Sequence, residues 1–294
     1  MELSAVFPTT EIGNDPIAIR DYAQAVEAMG FTRIIAYDHV LGAEHGGREP
    51  ALWGPYTEND AFHEPLVLFG YLAAVTRTVE LMTGVIVLPQ RQSALVAKQA
   101  AEVDVLSGGR MVLGVGTGWN YVEYESLGAE FRNRARRMDE QVDVLRRLFR
   151  ERVVDFTGQY HRVDRAGILP PPVRDIPIWF GGSAEASMAR AIRVGDGYTF
   201  GTAGDRIQKA LDRLNEMLAE AGRDPSTFGT ENILHAGKGF DTVVAEAAAW
   251  QAAGGQRVAV STMWSSFLGA DAPRCAGLDD HLTLLRSVKE AVAG

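Results

Sequence analysis

Arg33-Ile34-Ile35-Ala36-Tyr37-Asp38-His39 decides the fold, because a short apolar run ends there in a charged pair. β-Branched and apolar residues crowd the run, and a loop containing Gly42, Gly46 and Gly47 follows, so it reads as a buried strand. The exit of such a strand is where parallel α/β proteins place chemistry: the strand fixes the side chains and the loop beyond admits a ligand. Taken alone, the pair also suits a loop carboxylate capping a backbone amide beside an exposed imidazole.

Outward from this stretch, strand-like and helix-like segments alternate. Residues 3–7 read as a strand ended by Pro8, and Asp15-Pro16 opens a helix whose Ile19, Tyr22, Ala23, Val26 and Met29 fall at helical spacing. After the 33–37 strand come a long loop, a helix from Glu64-Pro65 to Val75 and a strand over 79–88. A helix over 94–106, a strand over 111–116 and a helix over 138–149 follow. Residues 153–163, centred on Gly158, read as an inserted hairpin, and Pro170-Pro171-Pro172 as a stiff connector. Strands at 177–180, 198–200, 232–235 and 257–261 then alternate with helices at 185–194, 207–221, 242–253 and 281–292. Eight strand–helix units in one 294-residue domain fit a closed (β/α)8 TIM barrel, with insertions after strand 2 and before strand 5. A doubly wound open sheet is the alternative, although no dinucleotide fingerprint opens the chain.

Composition narrows the function classes. The chain is 46% hydrophobic and 23% charged with a net charge of −9, and no basic cluster is interleaved with aromatics, so nucleic acid is not an expected partner. The run Arg132 to Arg137 reads as a solvated face first and an anion contact second. A membrane is not expected either, since no apolar stretch reaches the length of a span. One cysteine, Cys275, is too few for a disulfide framework or a cysteine-rich metal site, and Met1-Glu2-Leu3-Ser4 lacks the features of a signal peptide. The expectation is a cytoplasmic protein with no metal.

In a barrel the C-terminal strand ends carry the site. Beside Asp38-His39, three ends are unusual here. Thr83-Gly84-Val85 interrupts an apolar run, as a bulge or a packing glycine would. Gly114-Val115-Gly116-Thr117-Gly118-Trp119 leaves one strand face bare, so that a flat ring could lie against the backbone. Phe180-Gly181-Gly182-Ser183 precedes a helix, where free amides bind anions, although glycines also make tight turns with no ligand. Together these ends describe a phosphate grip, a seat for a planar ring and a histidine beside it.

The same residues carry a family resemblance along nearly the whole chain. Tyr37-Asp38-His39-Val40, Glu64-Pro65 leading into Leu72-Ala73-Ala74-Val75-Thr76, Thr83-Gly84-Val85-Ile86-Val87-Leu88-Pro89 and Ala97-Lys98-Gln99-Ala100-Ala101 begin the series. Leu106-Ser107-Gly108-Gly109-Arg110 running into Leu113-Gly114-Val115-Gly116-Thr117-Gly118-Trp119 continues it. Ile176-Pro177-Ile178-Trp179-Phe180-Gly181-Gly182-Ser183 and Gly195-Asp196-Gly197-Tyr198 complete it. In this ordered series the chain resembles the luciferase-like monooxygenase superfamily, in particular its branch dependent on the deazaflavin coenzyme F420.

The resemblance implies a bacterial luciferase-like barrel and a non-proline cis peptide at Gly84-Val85 supporting the cofactor's central ring. It places His39 beside that ring, the phosphate at Gly181, Gly182 and Ser183 with Thr202 from the next loop, and Thr83, Gly116 and Thr117 among the cofactor contacts. The branch's sugar-phosphate dehydrogenases carry a catalytic Glu where this chain has Trp119, which implies a more apolar pocket walled also by Trp53, Tyr56 and Phe62. The implied chemistry is hydride transfer between F420 and a small organic substrate. An imidazole such as His39 can take a proton or donate a hydrogen bond in such a step, and Asp38 is expected to orient His39 or the turn. Of the other histidines, His63, His161, His235 and His281 read as structural, and Glu123 as a polar anchor or a helix cap. The alternatives are an FMN-dependent monooxygenase fed by a separate reductase, and a non-catalytic flavin-binding barrel. A small-molecule substrate, a flavin or F420 reductase and a second copy in a homodimer are the expected partners.

Overall fold

The computed structural model describes residues 1–182, 184–269 and 271–293. Strands β1 (Glu2–Val6), β2 (Arg33–Ala36), β3 (Glu80–Thr83), β4 (Ile86–Val87) and β5 (Met111–Gly116) precede a hairpin of β6 (Val154–Thr157) and β7 (Arg162–Ala166). Strands β8 (Ile178–Gly181), β9 (Gly197–Phe200), β10 (Gly229–His235) and β11 (Arg257–Ser261) follow it. The large sheet runs β3-β2-β1-β11-β10-β9-β8-β5-β4, and the extra β3–β5 pairing closes it. Every pairing inside it is parallel. With β3 and β4 as two halves of one barrel strand, eight strands form a closed (β/α)8 barrel, and the open-sheet alternative falls.

The helices are α1 (Pro16–Ala28), α2 (Pro65–Val75), α3 (Ser93–Ser107), α4 (Tyr121–Ser126), α5 (Arg134–Arg150), α6 (Glu185–Val194), α7 (Arg206–Glu220), α8 (Phe240–Ala252) and α9 (Leu278–Ala293). Local chemistry sets their ends. The Asp15 side chain accepts from the Ile17 amide at 2.9 Å ahead of Pro16, a cap that contributes about 1 kcal/mol. α1 then buries Ile19, Tyr22, Ala23 and Val26 against the sheet. Among the described residues no helix is long and apolar enough to cross a membrane.

Two apolar layers result. The larger fills the space between sheet and helices, with Ile34, Phe69, Leu113 and Trp250 fully buried. The smaller fills the barrel with Val6, Ile35, Met82, Val112, Trp179, Ala259 and Met263. Beneath this inner layer lies a charged floor. Arg33 is buried, pairs with Glu80 at 2.8 Å and with Glu231 at 3.2 Å, and its guanidinium sits over the Trp179 ring. Ser4 donates to Glu231 at 2.5 Å. These bonds satisfy charges whose burial would otherwise cost several kcal/mol, on the order of 3–5 when one partner is lost.

The structure departs from the sequence reading in identifiable places. The strand read over 79–88 is two short pieces, β3 and β4, divided at the interruption expected at Thr83-Gly84-Val85, and the Gly84–Val85 peptide between them is cis, as the resemblance implied. The helix expected from 138 starts at Arg134, led in by a 3-10 turn over Phe131–Asn133. Apolar periodicity cannot mark that first turn, since arginine favours helix without supplying an apolar face. The hairpin is displaced toward the C-terminus, ending at Ala166, and α4 was not anticipated.

The alternating glycines of β5 also have a different use from the one expected. A Cβ on Gly114 would stand 1.9 Å from the Thr83 carbonyl oxygen, and one on Gly116 would stand 2.4 Å from the Val85 Cγ2. A Cβ on Gly181 would be 3.0 Å from the Val85 Cγ1. The bare face therefore receives the β3–β4 break, and Val85 rather than β5 presents itself to the barrel mouth. Thr83 secures the arrangement by donating to the Gly114 carbonyl at 2.7 Å. Gly114→Ala is expected to destabilise the protein by about 1–3 kcal/mol, as overpacking against backbone does. A urea midpoint unchanged from wild type would show that the contact yields freely.

Candidate active site

At the exit of β2 the two residues of the charged pair diverge. Asp38 points inward, is 4% exposed, and accepts from the Val87 amide at 2.8 Å and from Arg91 at 2.6 Å. Arg91 also reaches Glu64 at 3.0 Å. Burial raises the Asp38 carboxyl above its ordinary range, while Arg91 and the Val87 amide draw it back. Asp38 thus ties β2 to the far side of the Gly84–Val85 break. Of the two tasks expected of Asp38, it holds the backbone turn, through the Val87 amide, and among the described residues makes no hydrogen bond that would orient His39.

That orientation comes from Glu123. The N-cap Asn120 starts α4 by accepting from the Val122 amide at 3.0 Å, and places Glu123 in the first turn with 1% exposure. One carboxylate oxygen accepts from the Val40 and Leu41 amides at 2.6 and 3.0 Å, and the other meets His39 Nδ1 at 3.1 Å. A carboxylate there requires the hydrogen on Nδ1, leaving His39 Nε2 as the free ring nitrogen. Tyr56, Phe62 and Trp119 pack edge-on around the imidazole with centroids 5.5, 4.9 and 5.4 Å away. Of the two roles the sequence allowed Glu123, the anchor is the one realised.

His39, Tyr37, Gly84, Val85, Trp119 and His235 line a cavity of about 290 Å³ at the C-terminal mouth of the barrel. His235 ends β10 and was read as structural, yet its buried Nδ1 has no partner among the described residues. Burial, aided by Lys238, pulls this imidazole down to about 4, so at neutral pH it is uncharged. The remaining histidines named by the sequence have structural contacts: His63 with the Gly13 carbonyl, His161 with Glu140, His281 with Thr262.

A second pocket, about 230 Å³, lies between the β8 and β9 exits and brings together Gly182, Tyr198, Thr202 and Arg206. Gly182 has φ +137°, a left-handed value that favours glycine, and its carbonyl accepts from the Tyr198 hydroxyl at 2.9 Å. Asn232 grips both the amide and the carbonyl of Thr202 at 3.0 Å. Among the described residues neither α6 nor α7 has a side-chain cap; the Arg206 and Ile207 amides of α7 already donate to the Ala203 and Gly204 carbonyls, whereas the Glu185 and Ala186 amides that open α6 have no backbone partner there. Arg206 escaped the sequence reading; a basic residue opening the helix after the Thr202 loop was the available signal. Ser183 lies outside the described residues.

Other expected contacts fall elsewhere. Thr83, Gly116 and Thr117 do not line the His39 cavity: the first two seat the break, and the Thr117 carbonyl accepts from Tyr124 at 2.6 Å. Trp53 is 78% exposed and lines a separate outer pocket of about 540 Å³, which shares Pro55, Gly118, Trp119 and Phe267 with the inner cavity. Trp119 is the wall between the two. Gly54 packs so closely on its indole that a Cβ would come within 2.5 Å.

Known proteins share this architecture. An F420-dependent secondary alcohol dehydrogenase, solved with an F420–acetone adduct, superposes with a TM-score of 0.76 at 18% identity, covering 99% of this chain and 98% of that one. An F420-dependent glucose-6-phosphate dehydrogenase of Nakamurella multipartita is 29% identical over 282 residues, 94% of this chain and 76% of the relative. The pyrimidine monooxygenase RutA of Allorhizobium ampelinum is 33% identical over 177 residues, 56% of this chain and 47% of the relative. The relatives are thus oxidoreductases of two kinds, deazaflavin-dependent dehydrogenases and monooxygenases. The family model for luciferase-like monooxygenase matches residues 3–276. The chain belongs to the luciferase-like monooxygenase family and is an enzyme of its oxidoreductase kind.

Proposed function

We propose that the chain is an F420-dependent oxidoreductase that exchanges hydride between that cofactor and a small organic substrate. One observation carries the reading: the Val85 break, the His39 cavity and the Gly182–Thr202–Arg206 pocket open on the same mouth of the barrel. The residues fit such a group. Val85 offers an apolar seat beneath a flat ring, and the start of α6 together with Arg206 offers a phosphate its amides and charge. When bound, F420 supplies a two-electron hydride centre.

The chain's own residues do the rest. His39 Nε2 takes or returns the proton at the substrate atom whose charge changes, and Glu123 stabilises the imidazolium that forms. Trp119, Tyr56 and Phe62 keep water from that atom. His235, uncharged and with a free ring nitrogen, offers the substrate a neutral hydrogen bond from the opposite strand end.

The RutA relative favours a second reading, an FMN-dependent monooxygenase served by a separate reductase. Equilibrium titration of the apoprotein with F420 and FMN distinguishes the two. F420 is expected to bind at least about tenfold tighter, a margin of about 1.4 kcal/mol. Tighter binding of FMN, with product formation that requires oxygen, would replace the first reading by the second.

A further inference from the structure

The outer pocket has a composition unlike a solvent channel. Leu52, Trp53, Tyr121, Phe131 and Phe267 give it apolar and aromatic walls, and among the described residues Arg134 is the only charged side chain lining it. Trp53 and Phe267 remain 78% and 74% exposed, so the rim of this pocket leaves two large rings in water. Large exposed apolar surface edged by a charge marks a place where something binds.

Arg134 is positioned yet unspent. Its guanidinium lies 3.8 Å from the centroid of the Phe131 ring and donates once, to the Phe131 carbonyl at 2.9 Å. Its Nε is buried and has no partner, and no carboxylate among the described residues lies within ion-pairing distance of it. Arg137, on the same turn, likewise has a buried Nε without a partner but does not line the pocket, whereas in the last turns of α5 Arg146, Arg147 and Arg150 each meet an aspartate. An arginine held flat on an aromatic ring, facing a pocket without a counter-ion, is built to receive an anion in a fork-like contact.

The two cavities abut. They share Pro55, Gly118, Trp119 and Phe267, and His39 touches the other face of the Trp119 indole edge-on. We propose that the substrate is a flat, largely apolar molecule spanning both cavities. Its electrophilic carbon sits in the His39 cavity, and a carboxylate or comparable anion at its far end rests against Arg134. This rests on the hydride-transfer reading for the identity of the reacting end, whereas the anion contact is a matter of binding alone. Volumes of about 290 and 540 Å³ lie within the range of small-molecule sites.

The test compares two ligands of one shape, 4-(4-carboxyphenyl)but-3-en-2-one and its methyl ester, titrated calorimetrically into the F420-saturated protein. The carboxylate is expected to bind about tenfold tighter than the ester, the scale of a charge-assisted contact. Arg134→Gln is expected to bring that ratio near unity, and Arg134→Lys to restore part of it. Arg136→Gln, at an exposed arginine of the same segment, should keep the wild-type ratio. Equal affinity for both ligands in wild type would overturn the proposal. So would loss of the ratio in Arg136→Gln, which would mean a diffuse field, or a loss of F420 affinity in Arg134→Gln, which would assign Arg134 to the cofactor. Failure of the hydride-transfer reading looks different: the ratio holds, but reduced F420 reduces neither enone.

Discussion

His39→Ala will lower single-turnover hydride transfer by about 10²–10⁴-fold, the range for a positioned acid–base group. Cofactor affinity is expected to stay within about tenfold, because the ring and phosphate seats supply most of the binding. The barrel should survive, since the imidazole sits above the strand ends and only its neighbours at the mouth lose contacts. The stability cost is about 1–3 kcal/mol, the penalty for leaving one oxygen of the buried Glu123 without a partner. A histidine acting only as scaffold would show the same loss of stability with an unchanged rate per folded molecule, so the rate decides between the two. Glu123→Gln sharpens the comparison. The amide oxygen still serves Val40 and Leu41, but its NH2 would force His39 Nδ1 to accept, moving the hydrogen to Nε2. Hydride transfer should then fall while the fold and the F420 affinity hold. Wild-type rates in both variants, on an activated enone, would demote this pair.

Gly182→Asp will abolish measurable binding of the phosphate-bearing cofactor, a loss of at least about 100-fold, by setting like charges against each other in a shielded pocket. Two effects act together there. At φ +137° any Cβ strains the backbone, and the added carboxylate would lie near the Tyr198 hydroxyl, inside the pocket formed with Thr202 and Arg206. Gly182→Ala separates them, since it carries the strain without the charge and should lose far less affinity. Fluorescence titration of both variants, with circular dichroism to confirm the fold, gives the answer. Equal affinity in Gly182→Asp and wild type would remove this turn from the cofactor site.

Sequence and structure agree where the signal is local. Apolar runs ended by glycine or proline, and an Asp-Pro helix start, sufficed to order the strand–helix units and hence the barrel. The position of His39 at a strand exit, and of Gly182 before a helix, were legible for the same reason. What sets His39 was not. Glu123 lies 84 residues away in sequence, on a six-residue helix too short to show a periodic face. The β5 glycines were legible as a bare surface, but their occupant was not, because nothing in the spacing of Gly114 and Gly116 says that Val85 fills it. The interruption of the strand at Thr83-Gly84-Val85 was itself legible, and the family resemblance placed a cis peptide at Gly84–Val85, where the structure has it. Trp53 was placed in the inner pocket because aromatic character says nothing about which side of Trp119 a loop passes.

The fit of Val85 among Gly116 and Gly181 bears on how this protein can change over generations. Three positions far apart in the chain share one small volume, so a methyl group gained at either glycine must be lost at residue 85. Single steps at any of them pass through a strained or a hollow intermediate, whereas paired steps do not. The floor of the ring seat is therefore epistatic by shape, and variation in this enzyme will find easier paths in the loops around it than through the three residues that hold it up.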